Sequence, residues 1–495
     1  MLLTSTLYLI FILICIIVYY RINSSYRWIL LLVASILFYC SYNPIALLFV
    51  LVSSISVYFA SIAIERKADD KKGQRRILII TLLLNFGILA YTKYFGFLLT
   101  LMSIDSSRPI SVLVPLGISF YTFQIVGYLL DIYWKRDQVE HNFFKLLLFA
   151  IYFPQIIQGP ISRHKALSIY FDNGTEYDFL NIKYGIQLMI WGYFKKMVIA
   201  DTIATAAGEV LDNPGAHTGL TVIFGLLAYS AELYMDFSGG IDVIRGTSQC
   251  FGINLVENFK RPYFAQSIQD FWRRWHITLG TWMKDYLFYP MALSKTMNKL
   301  GKRSQKLFGK KVGRKIPLCL ENIIVFFVVG IWHGPSMHFI VYGLYNGLII
   351  ALSTLLEPVY DKLYCITRIN RKSVIMNLFR IIRTFILVNI GWYFDDVSSL
   401  NDSLILIKNT FIPNNTFYDG VTYLGLFKYQ YGYVTVGLIM VFVVSIMQER
   451  GIEVRKKIDT LPYVVKMGIW LAIIFMIPIM GWDPSVASGF MYANF

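Results

Sequence analysis

Apolar residues in this chain come in long runs, separated by short polar segments rich in Lys and Arg. The runs lie near Leu2–Tyr20, Trp28–Tyr39, Ile45–Ile64, Ile77–Met102, Val112–Tyr133, Phe143–Ile157, Ile186–Leu211 and Leu220–Tyr234. The second half adds Leu318–Trp332, Phe339–Leu356, Ile375–Phe394, Val434–Met447 and Val464–Met480. A helix that crosses a bilayer needs about 20 apolar residues, and several of these runs are shorter, which suits tilted or re-entrant helices. The pattern predicts an all-α polytopic membrane protein with roughly eleven transmembrane helices plus re-entrant ones. No positive residue precedes the first run, no small-residue cleavage site ends it, and Arg21 follows it. It reads as a retained first helix rather than a signal peptide.

Composition agrees with the pattern. The 495 residues are 56% hydrophobic and 15% charged, with a mean hydropathy of +0.55, which sets the chain apart from soluble domains. The net charge of +16 raises the question of nucleic acid, but its distribution answers it. Lys295–Lys315 holds nine basic residues and no acid, and Arg66–Arg76 holds six basic residues; Arg368–Lys372 and Arg450–Lys457 are smaller clusters between apolar runs. That is the positive-inside pattern of cytoplasmic loops, in contact with lipid headgroups, and it favours no nucleic-acid partner. Threading the runs between these loops puts Asp395, Asp396 and Asp402 on an outer loop and both termini outside the cell. Residues 1–480 then form one transmembrane domain, and 481–495 an extracytoplasmic tail. The five cysteines are scattered and suggest neither disulfides nor a zinc site, and no metal is expected.

His333 stands out against this background. It follows the run Leu318–Trp332, precedes Gly334-Pro335, and lies near membrane depth, where ionisable groups are costly and are functional candidates by default. Imidazole is also suited to taking and returning a proton near neutral pH. A histidine bonded within a helix packing interface is the plainer reading. The adjacent helix break argues against it, because breaks of this kind cluster where a site must be open. His338 at i+5 falls on another helical face, so a two-histidine metal pair is not expected. Haem ligation by His276 and His333 is compatible with the spacing, though nothing else in the chain points to haem.

The stretch from Asp236 to Tyr289 is of another kind. Gly239-Gly240, Gly246, Gly252 and Pro262 disfavour a continuous helix, and charged and aromatic residues alternate through it. Broken backbone at membrane depth is tolerated where it is buried in protein or lines a wet cavity, so the segment is expected to form a cavity wall. In DFWRRWH (Asp270–His276), helical spacing would set Trp272, Trp275 and His276 on one face, with Arg273 and Arg274 beside them. One reading is an interfacial helix with snorkelling arginines. The other is a donor-binding surface in which guanidinium groups meet an anionic donor, with Asp236 and Trp332 lining the same passage.

Three segments carry a family resemblance. DFSGGIDVIRG…FGINLVENFKRPYFAQSIQDFWRRWHITLGTWMKDYLFYP (236–290), QGPISRH (Gln158–His164) and GIWHGPSMHFIVYGLYNG (Gly330–Gly347) resemble the membrane-bound O-acyltransferase superfamily. They are most similar to its bacterial branch of alginate and peptidoglycan O-acetyltransferases and teichoic-acid D-alanyl transferases. The resemblance implies a helical fold around a central tunnel, His333 as the essential histidine, His276 as the second histidine, and a cytoplasmic acyl thioester as donor. In the proteins that this chain resembles, Phe-Phe-Arg often follows the Gly-Trp turn; this chain has Tyr393-Phe394-Asp395-Asp396, which predicts a changed charge at the outer rim.

The tail, Phe490-Met491-Tyr492-Ala493-Asn494-Phe495, resembles the F-x-Y-x-x-F terminus of the same branch. There the tyrosine is proposed as an acyl carrier. The bland alternative is an aromatic anchor. A phenol is mostly protonated at neutral pH, and a neighbouring imidazole can remove its proton during attack on a thioester. Two expectations follow: His333 activates Tyr492, or His333 activates the final hydroxyl directly and Tyr492, with Phe490 and Phe495, only anchors the tail.

The resulting expectation is a multi-pass O-acyltransferase of the bacterial cytoplasmic membrane. It would pass an acyl group, acetyl first among candidates with acetyl-CoA as donor and no bound cofactor, to hydroxyls of a cell-envelope polysaccharide. The chain holds no esterase motif, so an extracytoplasmic SGNH or esterase-like partner is implied. D-alanyl transfer from a carrier protein is the neighbouring alternative. A transporter or flippase is the alternative from another class, but it predicts a repeat relating the two halves, and none is visible.

Overall fold

The structure is a computed structural model that describes residues 1–101, 114–413, 424–481 and 489–490. The regular elements among the described residues are all helices, as the hydrophobic pattern predicts. Nine of their helices are long and apolar enough to cross a membrane, and Thr6–Arg21 is a shorter apolar helix. The chain divides into two compact units: Met1–Thr202, Leu233–Val256 and Tyr433–Phe495 form the first, and Ile203–Glu232 with Glu257–Gly432 the second.

In the first unit, helix Thr6–Arg21 shows how composition becomes orientation. Its Ser5 cap accepts a hydrogen bond from the Tyr8 amide, satisfying one of the free N–H groups of the first turn. Tyr8, Ile12, Cys15 and Tyr19 recur at helical spacing and are buried, while Leu7, Leu13, Ile14 and Ile17 are exposed. Apolar residues all round with only one face packed against protein is what a helix facing lipid requires. Helix Ile118–Tyr133 differs: nearly every residue is buried, so it is surrounded by protein.

Two expectations are corrected here. The run Phe143–Ile157 is helical only over Phe143–Ile151; Pro154 lacks the N–H that would continue the ladder, and the chain turns through Gln158-Gly159-Pro160. Conversely, Gly239-Gly240 and Gly246 do not break the chain, because Leu220–Cys250 is one 31-residue helix. The glycines serve contact instead. A Cβ on Gly239 would lie 2.8 Å from Gly192 O, and one on Gly246 would lie 2.5 Å from Gly185 O. Small residues let helix backbones approach closely where packing, not water, drives association.

In the second unit, helices Lys315–His333 and Met337–Thr367 form a hairpin in which the backbones nearly touch. A Cβ on Gly330 would sit 2.4 Å from Phe339 O, and one on Gly343 would sit 2.3 Å from Phe326 O. Helix Val374–Trp392 follows, and its Tyr345 neighbour donates a hydrogen bond to Leu387 O. This framework fixes the residues around His333.

Candidate active site

Helix Lys315–His333 ends on the imidazole. Gly334 turns to extended backbone (φ 177°, ψ 168°) and Pro335 cannot donate into the ladder, so the break lies where the sequence places it. His333 is 4% exposed. Its Nδ1 lies 3.7 Å from Asp395 Oδ1. The other carboxylate oxygen of Asp395, Oδ2, accepts a hydrogen bond from the Tyr229 hydroxyl at 2.9 Å.

Asp395 reaches this position on the turn that closes helix Val374–Trp392, where its own N–H donates to Trp392 O at 3.2 Å. His338 Nδ1 donates to Phe394 O at 2.9 Å and pins the same turn. The expectation that Asp395 belongs to an exposed outer rim is therefore overturned. It is buried, because the helix end folds back under the His338 bond, whereas Asp396 is exposed. Burial pushes the Asp395 carboxyl up to about 7; the Tyr229 hydrogen bond opposes this and the Asp396 charge adds to it.

His276 comes from a corner, not from a helix face. Helix Ile268–Arg274 ends before Trp275, which is extended, and His276 is left-handed (φ 44°, ψ 52°) before helix Ile277–Met283 begins. Trp272 and His276 thus sit on different elements, contrary to the single-helix reading; the left-handed residue stops the helical register. Asn258 holds the corner. Its Oδ1 accepts from Thr278 N and Thr278 Oγ1, each at 2.9 Å, and faces His276 Nδ1 at 3.4 Å. Its backbone oxygen accepts from Ile277 N at 3.0 Å. Burial, and then the nearby His333, depress His276 to about 3, so it is a neutral imidazole under working conditions.

An aromatic wall joins the two histidines. The Trp332 ring is centred 5.6 Å from His276 and 5.3 Å from His333, and Tyr342 lies 5.4 Å from His333. Trp275 is buried between Phe271 at 5.4 Å and Trp392 at 5.7 Å. Trp272 donates to Asn346 Oδ1 at 3.0 Å.

The structure therefore brings His276, His333, Trp332, Trp275 and Trp272 into one neighbourhood. The arginines point elsewhere: Arg273 is exposed, and Arg274 pairs with Asp270 at 3.2 Å. Asp236 belongs to the first unit, where it is buried and paired with Lys196. Phe490 is buried in that unit too, while Tyr492 and Phe495 lie outside the described residues. Sequence reading missed Asp395, Asn258 and Tyr229. Only Asp395 gave a signal, as an acid directly after the apolar run Ile375–Phe394. It also missed Lys195 and Lys196, two charges inside the run Ile186–Leu211 that the rule for intramembrane ionisable groups flags.

A buried neutral imidazole, a second buried histidine facing a carboxylate, and an aromatic wall make a site suited to proton transfer away from water. Comparison with known proteins points the same way. The sequence model of the MBOAT, membrane-bound O-acyltransferase family, matches residues 135–391, which contain every residue of the histidine cluster except Trp392 and Asp395. A probable alginate O-acetylase AlgI of Pseudomonas syringae pv. tomato is 31% identical over 381 residues, 76% of this chain and 68% of the relative. A peptidoglycan O-acetyltransferase of Helicobacter pylori is 31% identical over 418 residues, 79% of this chain and 74% of the relative. A teichoic acid D-alanyltransferase of Bacillus subtilis is 30% identical over 296 residues, 58% of this chain and 69% of the relative. The helical membrane architecture, the site and these matches agree: the chain belongs to the membrane-bound O-acyltransferase family and is a multi-pass membrane enzyme that transfers an acyl group.

Proposed function

We propose that this enzyme moves an acetyl group from acetyl-CoA, presented at the cytoplasmic face, to hydroxyls of a cell-envelope polysaccharide outside the cytoplasmic membrane. The observation that carries this reading is His333, buried at a helix break with Asp395 and Tyr229 on one side and His276 beyond Trp332 on the other. Polysaccharide as acceptor is supported by the alginate and peptidoglycan O-acetyl transfer named for two of the relatives.

In this reading Tyr492 is the first acceptor. Its hydroxyl oxygen attacks the thioester carbonyl carbon while His333 Nε2 takes the phenolic proton. The tetrahedral intermediate then collapses, the carbon–sulfur bond breaks, and the thiolate leaves with the proton returned by His333. Asp395 faces Nδ1 and favours the imidazolium that forms in between, as a carboxylate does behind other basic histidines. His276, held neutral, can serve as a hydrogen-bonding partner of the reacting groups. An aryl ester is an activated ester. An extracytoplasmic esterase-like partner could therefore take the acetyl group onto a serine and pass it to the polymer, with both termini of this chain on the outer side.

The test is direct. Membranes carrying the protein, given acetyl-CoA labelled in the acetyl group, should yield label on Tyr492, and His333→Ala should abolish it at equal protein level. Label that passes to polymer in Tyr492→Phe would leave direct transfer by His333 in place of the relay. Label from a D-alanyl carrier protein, with none from acetyl-CoA, would replace the donor.

A further inference from the structure

The first unit contains a buried polar site of its own, to which the histidine chemistry assigns no role. Lys195 and Lys196 lie in a π-helical stretch, Phe194–Ala200, inserted between helices Phe179–Tyr193 and Asp201–Leu211. Extra-wide turns of this kind are rare and concentrate at functional sites. Lys195 pairs with Asp242 at 2.8 Å. Lys196 pairs with Asp236 and, at 2.7 Å, with Asp201, and both Lys196 and Asp236 are almost fully buried. Two carboxylates on one ammonium leave it a donor for a third acceptor, and that acceptor is Gly489 O at 3.2 Å.

The next residue, Phe490, is 3% exposed although the chain ends five residues later. Its ring lies 5.1 Å from Lys196 Nζ, in cation–π range. Gly240 makes room for it. A Cβ there would be 1.6 Å from Gln158 Nε2 and 2.9 Å from Phe490 Cδ1. Gln158 is fully buried, and neither atom of its carboxamide has a hydrogen-bond partner among the described residues. The site thus has polar capacity to spare beside the ring. Gly481, where the last long helix ends, packs against Met197, one residue from the lysine that binds Gly489. The chain leaves and rejoins the same short stretch.

We infer that Lys196, Asp236, Gln158 and Gly240 form a receptor for the chain's own C-terminal segment, which clamps Gly489-Phe490 and so fixes where the last five residues begin. Asp236 is then an anchor of the lysine rather than a donor-binding residue. The bearing on catalysis rests on the Tyr492 relay proposed above: two residues span at most about 7 Å, so the clamp confines Tyr492 to a small volume instead of the reach of a free tail.

The experiment uses the full chain purified in detergent. With p-benzoylphenylalanine at position 490, irradiation should cross-link the tail to peptides containing Gln158, Lys196, Asp236 or Gly240. Carboxypeptidase should trim the wild type to the clamped Phe490 and pass it only slowly. It should act about tenfold faster or more on Phe490→Ala and Gly240→Leu, the first losing a buried ring and the second filling its seat. Phe490→Tyr should behave as wild type. Cross-links elsewhere, or equal digestion of Phe490→Ala and wild type, would overturn the receptor. Tyr492→Phe should leave digestion slow, so failure of the relay and failure of the clamp give different results.

Discussion

Asp395 Oδ1 lies 3.7 Å from His333 Nδ1, and both side chains are buried. The carboxylate also accepts the Tyr229 hydroxyl, and Asp396 stands next to it in the chain. This relationship gives the site a pH dependence with a definite sign. Asp395 carries its proton below about pH 7 and its charge above it. Support of an imidazolium at His333 is therefore present above about pH 7 and lost below it.

Asp395→Asn should lower acyl transfer roughly tenfold to a hundredfold at pH 8 and much less at pH 6, where the wild-type carboxyl is already neutral. Initial rates with labelled acetyl-CoA at the two pH values check this, and equal losses at both would refute it. Linkage adds a second readout. A carboxyl raised above its ordinary ~3.9 reduces folding stability as pH climbs from about 4 towards 7. Asp395→Asn should therefore melt no lower than wild type at pH 8, which separates lost orientation from lost structure.

Asn258→Ala should weaken the corner at His276. It removes the acceptor of Thr278 N and Thr278 Oγ1 and the group facing His276 Nδ1. At about 1 kcal/mol for each bond, roughly 2–3 kcal/mol of stability is at stake. Thermal unfolding in detergent should show it, with acyl transfer falling alongside. A variant of unchanged stability would mean that the corner is held by packing alone.

Gly343→Ala tests the hairpin that carries His333. The added Cβ would meet Phe326 O at 2.3 Å, a backbone atom that cannot move aside without separating the two helices. Overpacking of this kind costs roughly 1–3 kcal/mol and should displace His333. Gly432→Ala, where nothing lies within 4 Å of the added atom, is the control and should match wild type in yield and rate.

How much of this could be read from the sequence differs residue by residue. The helix break beside His333 was legible because Gly334 and Pro335 act on their own backbone. The glycines of Leu220–Cys250 misled, because in lipid a glycine marks close helix contact as readily as a break, and only the neighbour decides. The Trp272–His276 face misled because one left-handed residue, stabilised by an asparagine 18 positions earlier, cancels the helical register. Asp395 was visible as an acid but not as a buried one, since its burial depends on His338, 57 residues earlier in the chain, bonding Phe394 O. The pair Lys195-Lys196 was legible and was passed over, because it sat inside a run otherwise apolar enough to read as a span.

The left-handed backbone at His276 bears on how any substitution there is interpreted. Asn and Gly tolerate that conformation, whereas Ala, Val and Leu are strained in it. Alanine at this position removes the ring and perturbs the loop in a single step, so its phenotype mixes two causes. A graded set separates them: Asn keeps a polar group with tolerable geometry, Gly keeps the geometry alone, and Ala keeps neither. The difference between Asn and Gly measures the chemistry of the side chain, and the difference between Gly and Ala measures the shape of the chain.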